Sequence, residues 1–194
     1  LLNSYNTTVA CFSKGLWRNL SRLPGLSEIR RRQYEDDLRP FVATEPLREL
    51  CRLASQRLGL RDLVRHENGV FAIDRIYQDL DKASAQQSCD EAVRAFYSYE
   101  DGALETFRAA KMSNQVRLYD LPIGYWRVAR EILNEEAERR PQWLATLDGL
   151  KDSEEKLARK DEELRLADHI LVASTFTKQT LGKCPFSIAP VSVI

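Results

Sequence analysis

The chain is 194 residues long with 29 basic and 29 acidic side chains, enough to bury one sizeable core and without the net charge that would draw it to nucleic acid. Cys11, Cys51, Cys89 and Cys184 form no Cys-x-x-Cys pair and lie far in sequence from His66 and His169, so neither a zinc site nor a disulfide framework is indicated, and no metal or cofactor is expected. No apolar run approaches the roughly 20 residues of a membrane span and no signal-peptide pattern occurs, so the expected location is cytoplasmic.

In chain order, Tyr5 to Phe12 is rich in Thr, Val and aromatic residues and predicts a strand. The segment from Lys14 to Arg32 carries Lys14, Arg18, Arg22, Arg30, Arg31 and Arg32 against the single acid Glu28, with Leu16, Trp17, Leu20, Leu23, Leu26 and Ile29 interleaved. One reading is a peripheral membrane contact through residues 14–32, each basic group near an anionic surface adding roughly 1 kcal/mol. The other is a solvated helix that buries its leucines, favoured by the break at Pro24 and Gly25. Phe41 to Thr44 predicts a short strand, and Glu45 to Leu58 a helix with Leu47, Leu50, Cys51, Leu53 and Ala54 on one face, stopped by Gly59. His66 to Gly69 predicts a turn, with His66 as a capping or surface residue. After it, Val70, Ile73, Ile76, Tyr77 and Leu80 mark an amphipathic helix running towards Gln87.

The middle of the chain carries the chemistry. Ala92 to Tyr99 predicts a strand, Leu104 to Lys111 a helix, Val116 to Tyr119 a strand, and the stretch after Trp126 a helix that ends at Arg140 because Pro141 follows. Each strand delivers acids, a glycine and aromatic residues at its carboxyl end, the edge where open α/β sheets bind ligands. Glu100, Asp101 and Asp120 can accept hydrogen bonds from sugar hydroxyls, and Tyr99, Tyr125 and Trp126 offer flat faces to pyranose rings. Gly102 and Gly124 let the backbone approach closely. The alternative is that Tyr125 and Trp126 are core residues of a helix's first turn and that the acids, Asp101 above all, favour helix N-termini through the dipole.

Residues 142–168 predict a helical insert of low hydrophobicity, solvated and packed on one side, with Glu155–Arg159 and Asp161–Arg165 spaced for i,i+4 pairing. His169 to Ala173 is a short apolar strand without alternation, as suits a parallel sheet covered on both faces. Ser174 or Thr175 can cap a following helix bearing Phe176, Lys178 and Leu181. Pro190 to Ile194 starts another strand. The expected fold is α/β: a doubly wound, Rossmann-like parallel sheet with helices on both faces, in one domain spanning 1–194.

Tyr99-Glu100-Asp101-Gly102-Ala103-Leu104 and Asp120-Leu121-Pro122-Ile123-Gly124-Tyr125-Trp126 resemble the Tyr-Glu-x-Gly-Ala-Leu and Leu-Pro-x-Gly-Tyr-Trp segments of a bacterial branch of the family 4 glycosyltransferases of the GT-B fold. Ala167-Asp168-His169-Ile170-Leu171-Val172-Ala173-Ser174 with Phe176, Lys178 and Leu181 resembles the Ala-Asp-x-Ile-x-Val-x-Ser-x-Phe-x-Lys-x-x-Leu stretch of the same family. The resemblance implies the N-terminal, acceptor-side half of a retaining glycosyltransferase, lacking its first strand and its C-terminal donor-binding domain and inactive alone. It implies a nucleotide-sugar donor held mainly by that other domain and a glycan or small-molecule acceptor. Typical members end these two strands in histidine. Here Asp120 stands nearest the second position, so Asp120 and Glu100 are the candidate catalytic residues and Tyr99, Gly102, Gly124, Tyr125 and Trp126 the candidate substrate-binding ones. A non-catalytic α/β module that recognises a glycan or a protein is the alternative.

Overall fold

The computed structural model describes residues 2–13 and 31–194, so nearly all of the basic segment 14–32 lies outside the described residues. The chain divides into two compact units, Leu1–Ser84 and Ala85–Ile194, each built on its own parallel sheet. The class is α/β, with parallel sheets flanked by helices, as the sequence predicts.

In the first unit, β1 (Tyr5–Thr7) pairs in parallel with β2 (Val42–Thr44). The strand predicted to reach Phe12 stops at Thr7. Glu45 donates to Thr7 at 3.0 Å, and beyond it the partner segment leaves the strand. Pro46 opens α1 (Pro46–Arg57), which ends before Gly59 at φ +70°. The turn before α2 (Ile73–Ala85) needs its glycine, because a Cβ on Gly69 would come within 2.5 Å of the Leu63 carbonyl oxygen. Glu49, buried on α1, receives Arg32 at 2.7 Å and Arg52 at 2.7 Å.

The second unit holds β3 (Ala95–Tyr99), α3 (Leu104–Met112), β4 (Val116–Leu121), α4 (Trp126–Arg139), α5 (Glu154–Leu166), β5 (His169–Val172), α6 (Thr175–Thr180) and β6 (Val191–Val193). Its four strands lie in the order β3-β4-β5-β6, all parallel. Side chains alternate between the sheet's two faces. One face carries Phe96, Tyr119, Leu121, Ile170 and Val172, which pack with Ala103, Phe107 and Ala110 around α3, Leu164 of α5, and Tyr125 and Leu181 in a single core. The other carries Tyr97, Tyr99, Leu118, Asp120, His169, Leu171 and Ser192. Burial along β5 therefore alternates, with Ile170 and Val172 fully buried and His169 and Leu171 half-buried, although its sequence is apolar without a break.

Helix α5 is the main correction to the sequence reading. Expected as a solvated helix packed on one side, with Glu155–Arg159 and Asp161–Arg165 pairs, it buries charged residues as well as leucines on that side: Leu157, Lys160, Asp161, Glu163 and Leu164. Its Arg159 pairs with Glu163 at 3.3 Å, its Asp161 pairs with Arg127 at 3.0 Å, and its Arg165 stands 3.8 Å over the Phe186 ring. The residues before it form two short 3-10 turns, Pro141–Thr146 and Asp148–Leu150. Among the described residues no helix is long and apolar enough to cross a membrane.

Candidate functional site at the carboxyl edge of the second sheet

The carboxyl ends of β3 and β4 are in register, with Tyr99 opposite Asp120. Both side chains stand on the face away from the helical core, together with Tyr97 two residues before Tyr99. The Tyr97 hydroxyl donates to Asp120 Oδ2, fixing the carboxylate's rotamer and leaving Oδ1 as its other acceptor. Partial burial and that bond hold the Tyr97 phenol well above its ordinary pKa, so it remains a donor. The Tyr97 and Tyr99 rings meet edge to face at 5.6 Å, and Tyr99 keeps 56% of its surface exposed whereas Asp120 keeps 7%. A half-open aromatic ring beside an oriented carboxylate can stack an apolar face and accept a hydroxyl proton. Further along this face, His169 Nε2 lies 2.9 Å from Ser192 Oγ.

Glu100 turns the other way. Its side chain is 7% exposed and meets Lys160 Nζ at 3.3 Å. Lys160 also lies 3.6 Å from Asp101 and 3.5 Å from Asp152, and Lys156 lies 3.1 Å from Asp152 and 3.7 Å from Asp101. Burial pushes the Glu100 carboxyl up to about 7 against the pull of Lys160. Its job is to tie α5 to the turn that carries Tyr99. Asp101 takes the left-handed conformation of that turn, at φ +70°, while Gly102 donates its N–H to the Tyr99 carbonyl at 3.1 Å.

Glu163 of α5, fully buried, supports the turn from beneath. It accepts the Asp101 N–H at 2.9 Å, the Ala103 N–H at 3.2 Å and the Tyr119 hydroxyl at 3.1 Å. Its carboxyl is also raised to about 7, burial outweighing Arg159 and the backbone donors. The turn that leads into α3 is thus held by a carboxylate about 60 residues away in sequence.

Tyr125 and Trp126 follow the alternative reading, as first-turn packing residues. Tyr125 is fully buried and offers no open ring face. Its hydroxyl donates to Asp161 Oδ1 at 2.8 Å, and Trp126 Nε1 donates to the same oxygen at 2.6 Å. Arg127 completes the node, donating to Asp161 Oδ2 at 3.0 Å with its guanidinium 4.2 Å over the Trp126 ring. Gly124 remains at the edge, where a Cβ would come 3.3 Å from Thr180 Cγ2 and 3.7 Å from the Phe176 ring.

Of the seven expected site residues, the fold brings Tyr99, Asp120, Gly102 and Gly124 to the edge and draws Glu100, Tyr125 and Trp126 into α5. Tyr97 escaped the sequence reading, although its period-two spacing from Tyr99 places both on one strand face. Lys160, Asp161 and Glu163 left no such signal, because a charged residue's burial depends on partners from distant segments. Compared with family models, curated proteins and solved structures, the chain matches none.

Proposed function

We propose that this chain is the acceptor-binding part of a retaining glycosyltransferase, which moves a sugar from a nucleotide-sugar to a glycan or other acceptor. The motifs around Tyr99, Asp120 and Ser174 suggest the family. One observation carries the reading on the structural side: an exposed Tyr99 ring in register with an Asp120 carboxylate that Tyr97 orients, at the ligand-binding edge of a parallel sheet. Asp120 positions the reacting sugar and Tyr99 stacks the acceptor, while donor binding falls to a separate domain. In a closed cleft such positioning acts by alignment and exclusion of water.

The test is turnover of the natural-length protein with a panel of nucleotide-sugars. Asp120→Asn keeps the shape and the Tyr97 contact but removes the charge. It should lower kcat by about 100-fold while the urea midpoint stays within experimental scatter. Unchanged turnover would take Asp120 out of the site.

A glycan- or protein-binding module without catalysis is the second reading. It is favoured by the withdrawal of Glu100, one of the two expected catalytic carboxylates, into an interior ion pair. A natural-length protein that binds glycan yet is inert with every donor would establish it. The membrane contact proposed for residues 14–32 is tested by salt-dependent binding to vesicles containing phosphatidylserine, and absence of binding at low salt would dismiss it.

A further inference from the structure

We infer, resting on the carbohydrate reading above, that the ligand at this edge is a neutral, hydroxyl-rich glycan and not a phosphorylated or carboxylated one. Among the described residues, the segments that form the edge, 99–103, 120–125, 173–177 and 193–194, contain no lysine or arginine but do contain Glu100, Asp101 and Asp120. The cations that approach from α5 and α4 are held by carboxylates: Lys160 by Glu100 and Asp152, Lys156 by Asp152, Arg159 by Glu163, Arg127 by Asp161.

Some backbone donors at the edge are taken as well. Helix N-termini after parallel strands are where α/β folds hold phosphate, and here one or two amides at the entry to each helix are bonded from within the chain. Glu163 takes the Asp101 and Ala103 amides at α3. Thr180 Oγ1 takes the Tyr125 amide at 2.8 Å before α4, and Ser174 Oγ takes the Thr177 amide at 3.1 Å in α6. An anion would find those amides engaged and would lie close to the like charge of Asp120. A neutral sugar meets no such opposition. It finds the exposed surfaces of Tyr99, Ile123 and Phe176 at 56%, 58% and 55%, the last beside Gly124, and the Asp120 carboxylate to accept a hydroxyl proton.

The experiment is protein-observed NMR of the full 194-residue chain, following the amides of Tyr99, Gly124 and Phe176. Maltotriose, cellotriose and chitotriose are titrated beside glucose 6-phosphate, glucuronic acid and UDP at low salt. At least one neutral trisaccharide should move these amides, with Tyr99→Ala weakening it about tenfold or more. Each anionic probe should bind at least about tenfold more weakly than that trisaccharide. Phe176→Ser, farther from the Tyr97–Asp120 pair, should weaken the same sugar and serves if Tyr99→Ala disturbs the fold. An anionic probe that moves these amides at equal or lower concentration overturns the neutral-ligand inference while leaving the carbohydrate reading intact. Amides that respond to no probe of either kind overturn both.

Discussion

Asp161 accepts hydrogen bonds from Tyr125, Trp126 and Arg127, three donors that converge on one carboxylate at the start of α4. Removing a buried acceptor that serves several donors leaves them unsatisfied. Asp161→Ala should therefore cost about 2–4 kcal/mol, read as a lower urea midpoint together with a change in tryptophan fluorescence as Trp126 loses its partner. Glu100 and Glu163 make the second residue-scale prediction. Both carboxyls are raised to about 7 in the folded chain from an ordinary 4.5. The folded state therefore holds their protons more tightly than the unfolded state does. Their contribution to stability is fully present below about pH 4.5 and is lost as pH rises to about 7. Between pH 5 and 8 the native chain should lose stability more steeply than the Glu100→Gln/Glu163→Gln double variant. The difference should be on the order of 3–5 kcal/mol, measured by urea unfolding at each pH. Parallel curves would show that both carboxyls titrate normally.

At the scale of elements, helix ends are set by individual side chains and substitutions there have local costs. Ser174 accepts the Thr177 N–H at the start of α6, so Ser174→Ala should cost about 1 kcal/mol, read from the thermal midpoint. Gly69→Ala should cost more, because its Cβ would meet the Leu63 carbonyl and the Arg65 nitrogen at 2.5 and 2.6 Å, backbone atoms that cannot rotate away. Helix α5 combines both kinds of constraint. Ser153 caps its start, and its inner face presents charge to charge. Its weak apolar periodicity reads as a surface helix because Lys160, Asp161 and Glu163 count as polar. Their burial follows from partners on the β3–α3 turn and at the start of α4, which no window along the helix contains.

For the whole molecule, the core formed by Val93, Phe96, Phe107, Tyr119, Leu121, Leu164, Ile170 and Val172 draws, among the described residues, only on residues 85–194. A fragment of those residues should accordingly unfold in one cooperative transition with protected amides in β4 and β5. A fragment without protected amides would show that this core needs residues 1–84 to form. Much of this sheet was legible in the sequence: the apolar run at Ile170 to Val172, the Ser174 cap, the stop at Pro141 and the succession of strand and helix that makes a parallel sheet all follow from local chemistry. β1 was read too long, since its length depends on where its partner β2 gives way to a helix in another segment. The candidate site was half legible. Tyr99 and Asp120 sit at strand ends that propensity and turn residues mark, whereas Glu100 was read outward although it faces inward to Lys160.

The sequence by itself determined the α/β class, the strands of the second sheet and the edge to which Tyr99, Asp120 and Gly124 come. Alternation, caps and breakers act over a few residues, so they can be read from a few residues. Only the tertiary structure decided which face each acid joins, that Tyr97 orients Asp120, that Tyr125 and Trp126 close on Asp161, and that Glu163 holds the turn before α3. These are pairings between groups about 20 to 60 positions apart. A charged side chain becomes buried only when the fold brings it an opposite charge or a set of donors, and that depends on the whole chain's packing.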